Sequence, residues 1–338
     1  MLERALAIAE EIEDAECIAM ACRSLVWLYA CWIPDNIESE AMGTRYYALA
    51  LESAEKVNNV MVMIGATVAR SMNLQWLGRF PEARSFPLKL VEIGQRFRST
   101  RSLSYAQWSL GFINFYEERY QEALENAEQS LQLSPDLLDE LCALGVKGVA
   151  LSFTGRISEG MEILSKVRQD IIKTGFLPLL AGIDIHYGAV LVLAGHLEQG
   201  VRHLNDAIKY WTSLGNYSLP VWGHLYLGDI YMRMAMGKME LPFSTILRDL
   251  WFIVRTLPVA RRKACHHYEE VLRSARVYNM PGLLVRGLYG LGMLSMEGKD
   301  YNKARSYLEE ALQIAEGEGL YAAEKIRRAL DSLQKRKN

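Results

Sequence analysis

Charge of one sign is what this sequence most clearly lacks. Lys and Arg number 38 against 40 Asp and Glu, a formal balance of −2. A nucleic-acid binder draws most of its affinity from neutralising phosphates and shows a clustered basic surplus. No nucleic-acid partner is therefore expected. Proline is scarce at nine residues, and no valine- or threonine-rich alternating stretch reads as a β-strand. The five cysteines, Cys17, Cys22, Cys31, Cys142 and Cys265, are odd in number and form no C-x-x-C. That usage excludes a disulfide framework and predicts reduced, buried thiols in a cytoplasmic protein. Met1-Leu2-Glu3-Arg4 begins no basic-then-apolar leader. The most apolar run, 176–195, is broken by Pro178, Asp184 and His186, so no membrane span is expected. Phosphate loops, H-E-x-x-H and G-x-S-x-G are missing as well.

What is present is apolar. Half of the 338 residues are hydrophobic and 23% are charged, which is far from the disordered composition. A single core stops growing at roughly 250–300 residues, so the length calls for two domains or a repeat array. The turns decide for repeats. Gly78-Arg79-Phe80-Pro81-Glu82-Ala83 recurs as Glu118-Arg119-Tyr120-Gln121-Glu122-Ala123, Gly155-Arg156-Ile157-Ser158-Glu159-Gly160 and Gly195-His196-Leu197-Glu198-Gln199-Gly200. A looser copy runs from Gly298 to Ala304. The closing small residues stand at 83, 123, 160 and 200, intervals of 40, 37 and 40. Each copy has a mechanism: a left-handed helix end, an aromatic or aliphatic residue wedged between two helices, and a small residue that lets them approach. Leu110-Gly111 and Asn114 correspond to Leu227-Gly228 and Tyr231, and to Leu291-Gly292 and Ser295.

The pattern resembles tetratricopeptide repeats, whose usual unit is nearer 34 residues. It predicts an all-α fold: a right-handed α-solenoid of about seven helix pairs with long repeats. The expected division is a partial repeat at 1–14, helix pairs at 15–236, an amphipathic insert at 237–258, helix pairs at 259–319 and a capping helix at 320–338. Because residues 1–13 match only the end of a second helix, the chain is expected to be a piece of a longer protein.

Within 237–258, Pro242 and Pro258 bracket one expected amphipathic helix with Leu247, Leu250, Trp251 and Val254 on a shared face. That face is expected to pack on the solenoid, leaving Arg261-Arg262-Lys263 solvated; a basic amphipathic surface for an anionic membrane or an acidic partner is the competing reading. The run from Trp222-Gly223-His224-Leu225-Tyr226-Leu227-Gly228-Asp229-Ile230-Tyr231, through Leu247-Arg248-Asp249-Leu250 and Arg255-Thr256-Leu257-Pro258, to Ala260-Arg261-Arg262 is similar to the C-terminal repeat regions of bacterial proteins joining a class III adenylate/guanylate cyclase to a signal-transduction ATPase. The cyclase's metal-binding aspartates and the ATPase's phosphate loop have no counterpart here, so the resemblance implies a regulatory fragment without enzyme activity. A similar region also occurs in transcription activators related to the maltose regulator, which keeps an effector-binding sensor as the alternative.

Metal and cofactor chemistry find little footing. Cys265-His266-His267 are consecutive, so on a helix they point about 100° apart and cannot share one ion. His196 and His203 stand two turns apart, about 10 Å. No metal and no cofactor are expected. The glycines of Gly287-Leu288-Tyr289-Gly290-Leu291-Gly292 fall where close helix packing needs them. Candidate site residues are those that first helices would turn to a concave groove: Gln75, Trp76, Tyr105, Trp108, Phe112, Trp222, Asp229, Arg233, Arg286 and Tyr289. Aromatic and Arg side chains are common binding anchors. For each aromatic, packing between neighbouring units is the competing reading. The expected partner is a protein or peptide, including other domains of a parent protein, and self-association into a homo-oligomer is left open.

Overall fold

The computed structural model describes residues 1–31, 37–175 and 177–337. All its regular elements are helical. Seven helix pairs follow one another: α2 (Ala15–Cys31) with α3 (Ile37–Lys56), and α4 (Val60–Trp76) with α5 (Phe80–Ala83) and α6 (Ser85–Phe97). Then come α7 (Thr100–Tyr116) with α8 (Tyr120–Leu133), α9 (Leu137–Phe153) with α10 (Ile157–Thr174), and α11 (Leu177–Leu193) with α12 (Leu197–Ser213). In the sixth pair, α13 (Ser218–Ala235) packs on α16 (Ala260–Val277), with α14 (Phe243–Arg248), α15 (Leu250–Thr256) and a 3-10 turn between them; α17 (Pro281–Glu297) and α18 (Tyr301–Gly317) are the seventh. A lone α1 (Leu2–Glu11) precedes the array and α19 (Ala323–Lys337) follows it.

The repeated turns do what their chemistry requires. Gly78, Gly155 and Gly195 adopt left-handed φ of +69°, +95° and +83°. Arg79, Arg119 and Arg156 stand at the N-cap position of their second helices, where each pairs with the Glu three residues on. First helices receive side-chain caps from Asn59, Ser99, Asp136 and Asn216, which satisfy amides that have no partner inside the helix. Helical glycines mark close approaches. A Cβ on Gly228 would lie 2.8 Å from the Tyr268 ring, and one on Gly292 2.8 Å from Leu308.

The superhelix closes on itself. The indole N–H of Trp222, on α13, donates to the carbonyl of Trp76 at the end of α4, 2.9 Å away across 146 residues of sequence. At the same level a Cβ on Gly282 would stand 2.5 Å from the Gly78 carbonyl, so α17 begins against the turn that follows α4. Inner helix α4 is consequently buried nearly all round. Every residue of α4 from Val62 to Trp76 except Gly65 is buried. Long inner helices carrying large aromatics fill the axis that a wider superhelix leaves open.

Two expectations need revision. The segment between Pro242 and Pro258 is two short helices broken at Asp249, and its apolar stripe faces solvent: Leu247, Leu250, Trp251 and Val254 are 59, 49, 74 and 55% exposed. The polar Thr245, Asp249 and Thr256 point inward instead, because Asp249 accepts from the Glu198 amide and from Arg248, whose guanidinium also reaches the Gly195 carbonyl. Among the cysteines, Cys22 and Cys142 are buried and Cys265 partly so, but Cys17 is exposed at the start of α2; the Cys31 side chain lies outside the description. None of the described helices is long and apolar enough to cross a membrane.

Candidate functional site

An aromatic ladder runs along α7. Tyr105, Trp108, Phe112 and Tyr116 fall at helical spacing, with successive ring centroids 5.6, 5.9 and 6.1 Å apart. It continues through space, Tyr116 lying 4.5 Å from Trp222. Arg286 of α17 rests its guanidinium over Trp222 at 5.4 Å. His186 of α11 locks the ladder in place. Its Nε2 meets the Tyr116 hydroxyl at 3.1 Å and its Nδ1 the Tyr226 hydroxyl at 2.7 Å. Burial, with the charge of Arg286 adding to it, pulls the imidazole down to about 3, so this ring is neutral at pH 7.

The ladder ends in a group of charges at the rim of the superhelix. Arg286 lies 4.0 Å from Glu118, on the turn after α7, and 3.9 Å from Asp229 of α13. Lys325 of α19 pairs with Glu118 at 2.6 Å and lies over the Tyr289 ring at 5.1 Å. Asp229 also accepts from the Tyr268 hydroxyl at 2.6 Å. The side chain of Arg286 is 22% exposed, those of Glu118 and Asp229 36 and 38%. Burial pushes the Asp229 carboxyl up against the pull of Arg286. At Glu118 burial acts upward too, but Arg286 and Lys325 together outweigh it and hold the carboxyl below its usual range.

Two features set this cluster apart from a structural ion pair. First, Arg286 meets both carboxylates only at the outer limit of an ion pair, and among the described residues its guanidinium donates no hydrogen bond. A guanidinium carries five N–H donors in a fork that matches a carboxylate. Second, Glu118 occupies the place that Gly78, Gly155 and Gly195 hold in other repeats, and adopts their left-handed backbone at φ +64°, as Lys299 does at +63° in the last repeat. A side chain at such a position costs on the order of 1 kcal/mol, and at Glu118 that side chain supplies the carboxylate facing Arg286.

The ten residues singled out from sequence fall into two groups. Gln75, Trp76, Trp108, Phe112 and Trp222 are buried, and Tyr105 is half-buried. They fill the axis, Gln75 donating to Ser71 and Ser109 at 2.9 Å each. A cleft between α4, α7 and α11, lined by Met72, Trp76, Trp108, Phe112 and Gly182 among others, has ≈ 270 Å³ of empty space, open solvent included. Asp229, Arg286 and Tyr289 converge at the rim, while Arg233 is exposed one turn beyond Asp229. Glu118, Lys325, Tyr226 and Tyr268 escaped the sequence reading. Glu118 could have been found, since it breaks the glycine of its own repeat.

Elsewhere, His267 meets His224 of α13, Nδ1 to Nδ1, at 2.9 Å. Burial, then His224, His266 and Lys263, draws His267 down to about 3. His203 lies 3.2 Å from Asp184, which also binds Arg168 at 2.7 Å. Among the described residues no three His, Cys, Asp or Glu are placed to hold a metal ion.

Comparison with known proteins agrees on the architecture. Residues 285–318 match the tetratricopeptide repeat model. The fold is an all-helical repeat solenoid, and residues 285–318 are the stretch that matches the tetratricopeptide unit. Among solved structures it is similar to a Rap protein complexed with competence and sporulation factor, with 12% identity over 95% of this chain and 88% of that one, at a TM-score of 0.60. Yeast Tom70 matches at 9% identity over 99% of this chain and 58% of its own, with a TM-score of 0.44. A search of curated protein sequences returned no match.

Proposed function

We propose that this chain is a non-catalytic protein- or peptide-binding module, and that it captures a partner's carboxylate at the rim cluster around Arg286. The observation carrying this is the partly exposed guanidinium with unspent donors between Glu118 and Asp229. An incoming carboxylate gains charge-assisted, bidentate hydrogen bonds there, while the half-buried Tyr289 offers apolar surface beside it. The two resident carboxylates discriminate against ligands that bring more than one negative charge. The fold is consistent with this role, and the similar Rap protein was solved with a bound factor.

The finer reading places the module in a cyclase–ATPase signalling protein, acting on that protein's own domains in the cytoplasm. It rests on the sequence similarity of Trp222–Tyr231, Leu247–Leu250 and Arg255–Arg262. The alternative, a small-effector sensor, asks for a roomy polar pocket; the cleft beneath Trp108 is apolar and narrow.

The test is binding to an array of short peptides with free or amidated C-termini and with or without single acidic residues. Carboxylate-dependent binding that falls about tenfold or more in Arg286→Gln, with helical circular dichroism unchanged, is the expected result. Binding that ignores the carboxylate, or survives the substitution, refutes the reading.

A further inference from the structure

A second surface lies apart from the rim cluster, on α14 and α15. Phe243, Leu247, Leu250, Trp251, Val254 and Leu257 are 73, 59, 49, 74, 55 and 52% exposed. Together they leave on the order of 600 Å² of apolar surface in water, the upper end for the largest patch of a monomer. The exposure is not looseness. Thr245, Asp249, Phe252 and Thr256 face inward and are buried, and Asp249 and Arg248 fasten the segment to the turn between α11 and α12. Arg255 adds an ion pair to Glu198 at 2.8 Å. Polar side chains and the Phe252 ring are thus used for attachment, while the other large apolar side chains of the stripe are held outward.

Shape and charge narrow the occupant. Exposures of about half or more describe a ridge, and a protein partner reading six such side chains needs a matching groove. Between 238 and 263 there are six basic residues, Lys238, Arg248, Arg255, Arg261, Arg262 and Lys263, against Glu240 and Asp249. With Glu198, which pairs with Arg255, set against them as well, a local excess of three positive charges remains in a chain whose total is −2. A second copy docked on the same ridge would set this excess against itself, which disfavours a symmetric dimer. A bilayer interface accepts a convex apolar ridge tipped by Trp and Phe, and anionic headgroups complement flanking Arg and Lys.

We propose that the outward face of α14 and α15 is a peripheral docking surface for a bilayer carrying anionic lipid. The side chains of Trp251, Phe243 and Leu247 enter the headgroup boundary, and Lys238 and Arg262 contact phosphates. None of the described helices crosses the membrane, and the attachment is reversible and salt-sensitive.

Flotation of the full 338-residue chain with phosphatidylcholine vesicles, with and without phosphatidylserine, tests this. The wild type is expected to float with the mixed vesicles and to bind neutral ones about tenfold less. Leu250→Ser/Trp251→Ser is expected to lose about tenfold or more, and so is Phe243→Ser/Leu247→Ser on the other short helix. Both pairs are solvent-exposed, so circular dichroism is expected to be unchanged. Failure of the wild type to float, or equal flotation by folded variants of both pairs, overturns the proposal. So does a dimer by light scattering that these substitutions disperse while flotation is absent, which assigns the ridge to a second copy.

Discussion

Inner helix α4 and the segment α14–α15 have similar amounts of apolar side chain and opposite fates. α4 has neighbours on every side: α2 and α3 before it, α6 and α7 after it, and, through Trp222 and Gly282, helices one superhelical turn away. Its Thr67, Ser71, Asn73 and Gln75 are buried and still find partners. The α14–α15 segment has one neighbouring surface, reaches it through polar atoms and the single buried ring of Phe252, and leaves its apolar stripe uncovered. In a solenoid, burial is thus decided by place in the array more than by composition, because each unit is buried mainly by its neighbours.

The contrast is broken most severely at Trp222. Trp222→Ala removes a fully buried ring, its hydrogen bond to Trp76 and the face beneath Arg286. A loss of about 3–5 kcal/mol in denaturant unfolding is expected. Acid acts on the same interior. His186 and His267 both titrate near 3 when folded against about 6.5 when unfolded. The unfolded chain therefore binds more protons, and the stability their neutral burial confers is full above pH 6.5 and falls as pH drops toward 3. Between pH 7 and 5 this amounts to at most about 2 kcal/mol for each histidine. His186→Gln should flatten the pH dependence measured by urea unfolding.

Smaller effects belong to the outer segment and the rim. Asp249→Ala unfastens α14 from the Glu198 amide and is expected to cost about 1–2 kcal/mol. Limited proteolysis should then cut within 240–258 before elsewhere. Glu118→Gly restores the residue type that three other repeats use. Relief of the left-handed strain offsets the lost exposed pair with Lys325, so stability should rise by about 0.5 kcal/mol or stay level, while carboxylate binding shifts toward more negatively charged peptides. Trp251→Ser should leave stability within about 0.5 kcal/mol of wild type. A large loss there would mean the ridge is packed after all.

Much of the fold was legible because turn chemistry repeats: the left-handed residue, the Arg–Glu pair of the next helix and the closing Ala or Gly are local events that a sequence displays. The site was less so. Arg233, Asp229 and Arg286 read as the better groove candidates, since burying charge unpaired is costly. Trp76, Trp108, Phe112 and Trp222 looked equally suited to a groove, because aromatics serve cores and interfaces alike. What separates them is the radius of the superhelix, set by contacts such as Trp222 to Trp76 that span 146 residues and leave no local trace. The outward turn of α14 and α15 was hidden for a related reason. A helical face announces that it is apolar, and only Asp249 and Arg248, with their partners on a distant turn, decide which way it points.

The central claim is that the axis of this solenoid is closed packing and that partner recognition has moved to the rim at Arg286. The most direct test measures one carboxylate-bearing peptide against three folded variants by fluorescence anisotropy. Arg286→Gln alters the rim, Gly182→Leu fills the cleft beside Trp76, where a Cβ has 4.0 Å of clearance, and Trp251→Ser alters the outer ridge. The account predicts a loss of about tenfold or more for Arg286→Gln and wild-type affinity for the other two. Loss in Gly182→Leu with Arg286→Gln unaffected would contradict it and return the binding site to the axis.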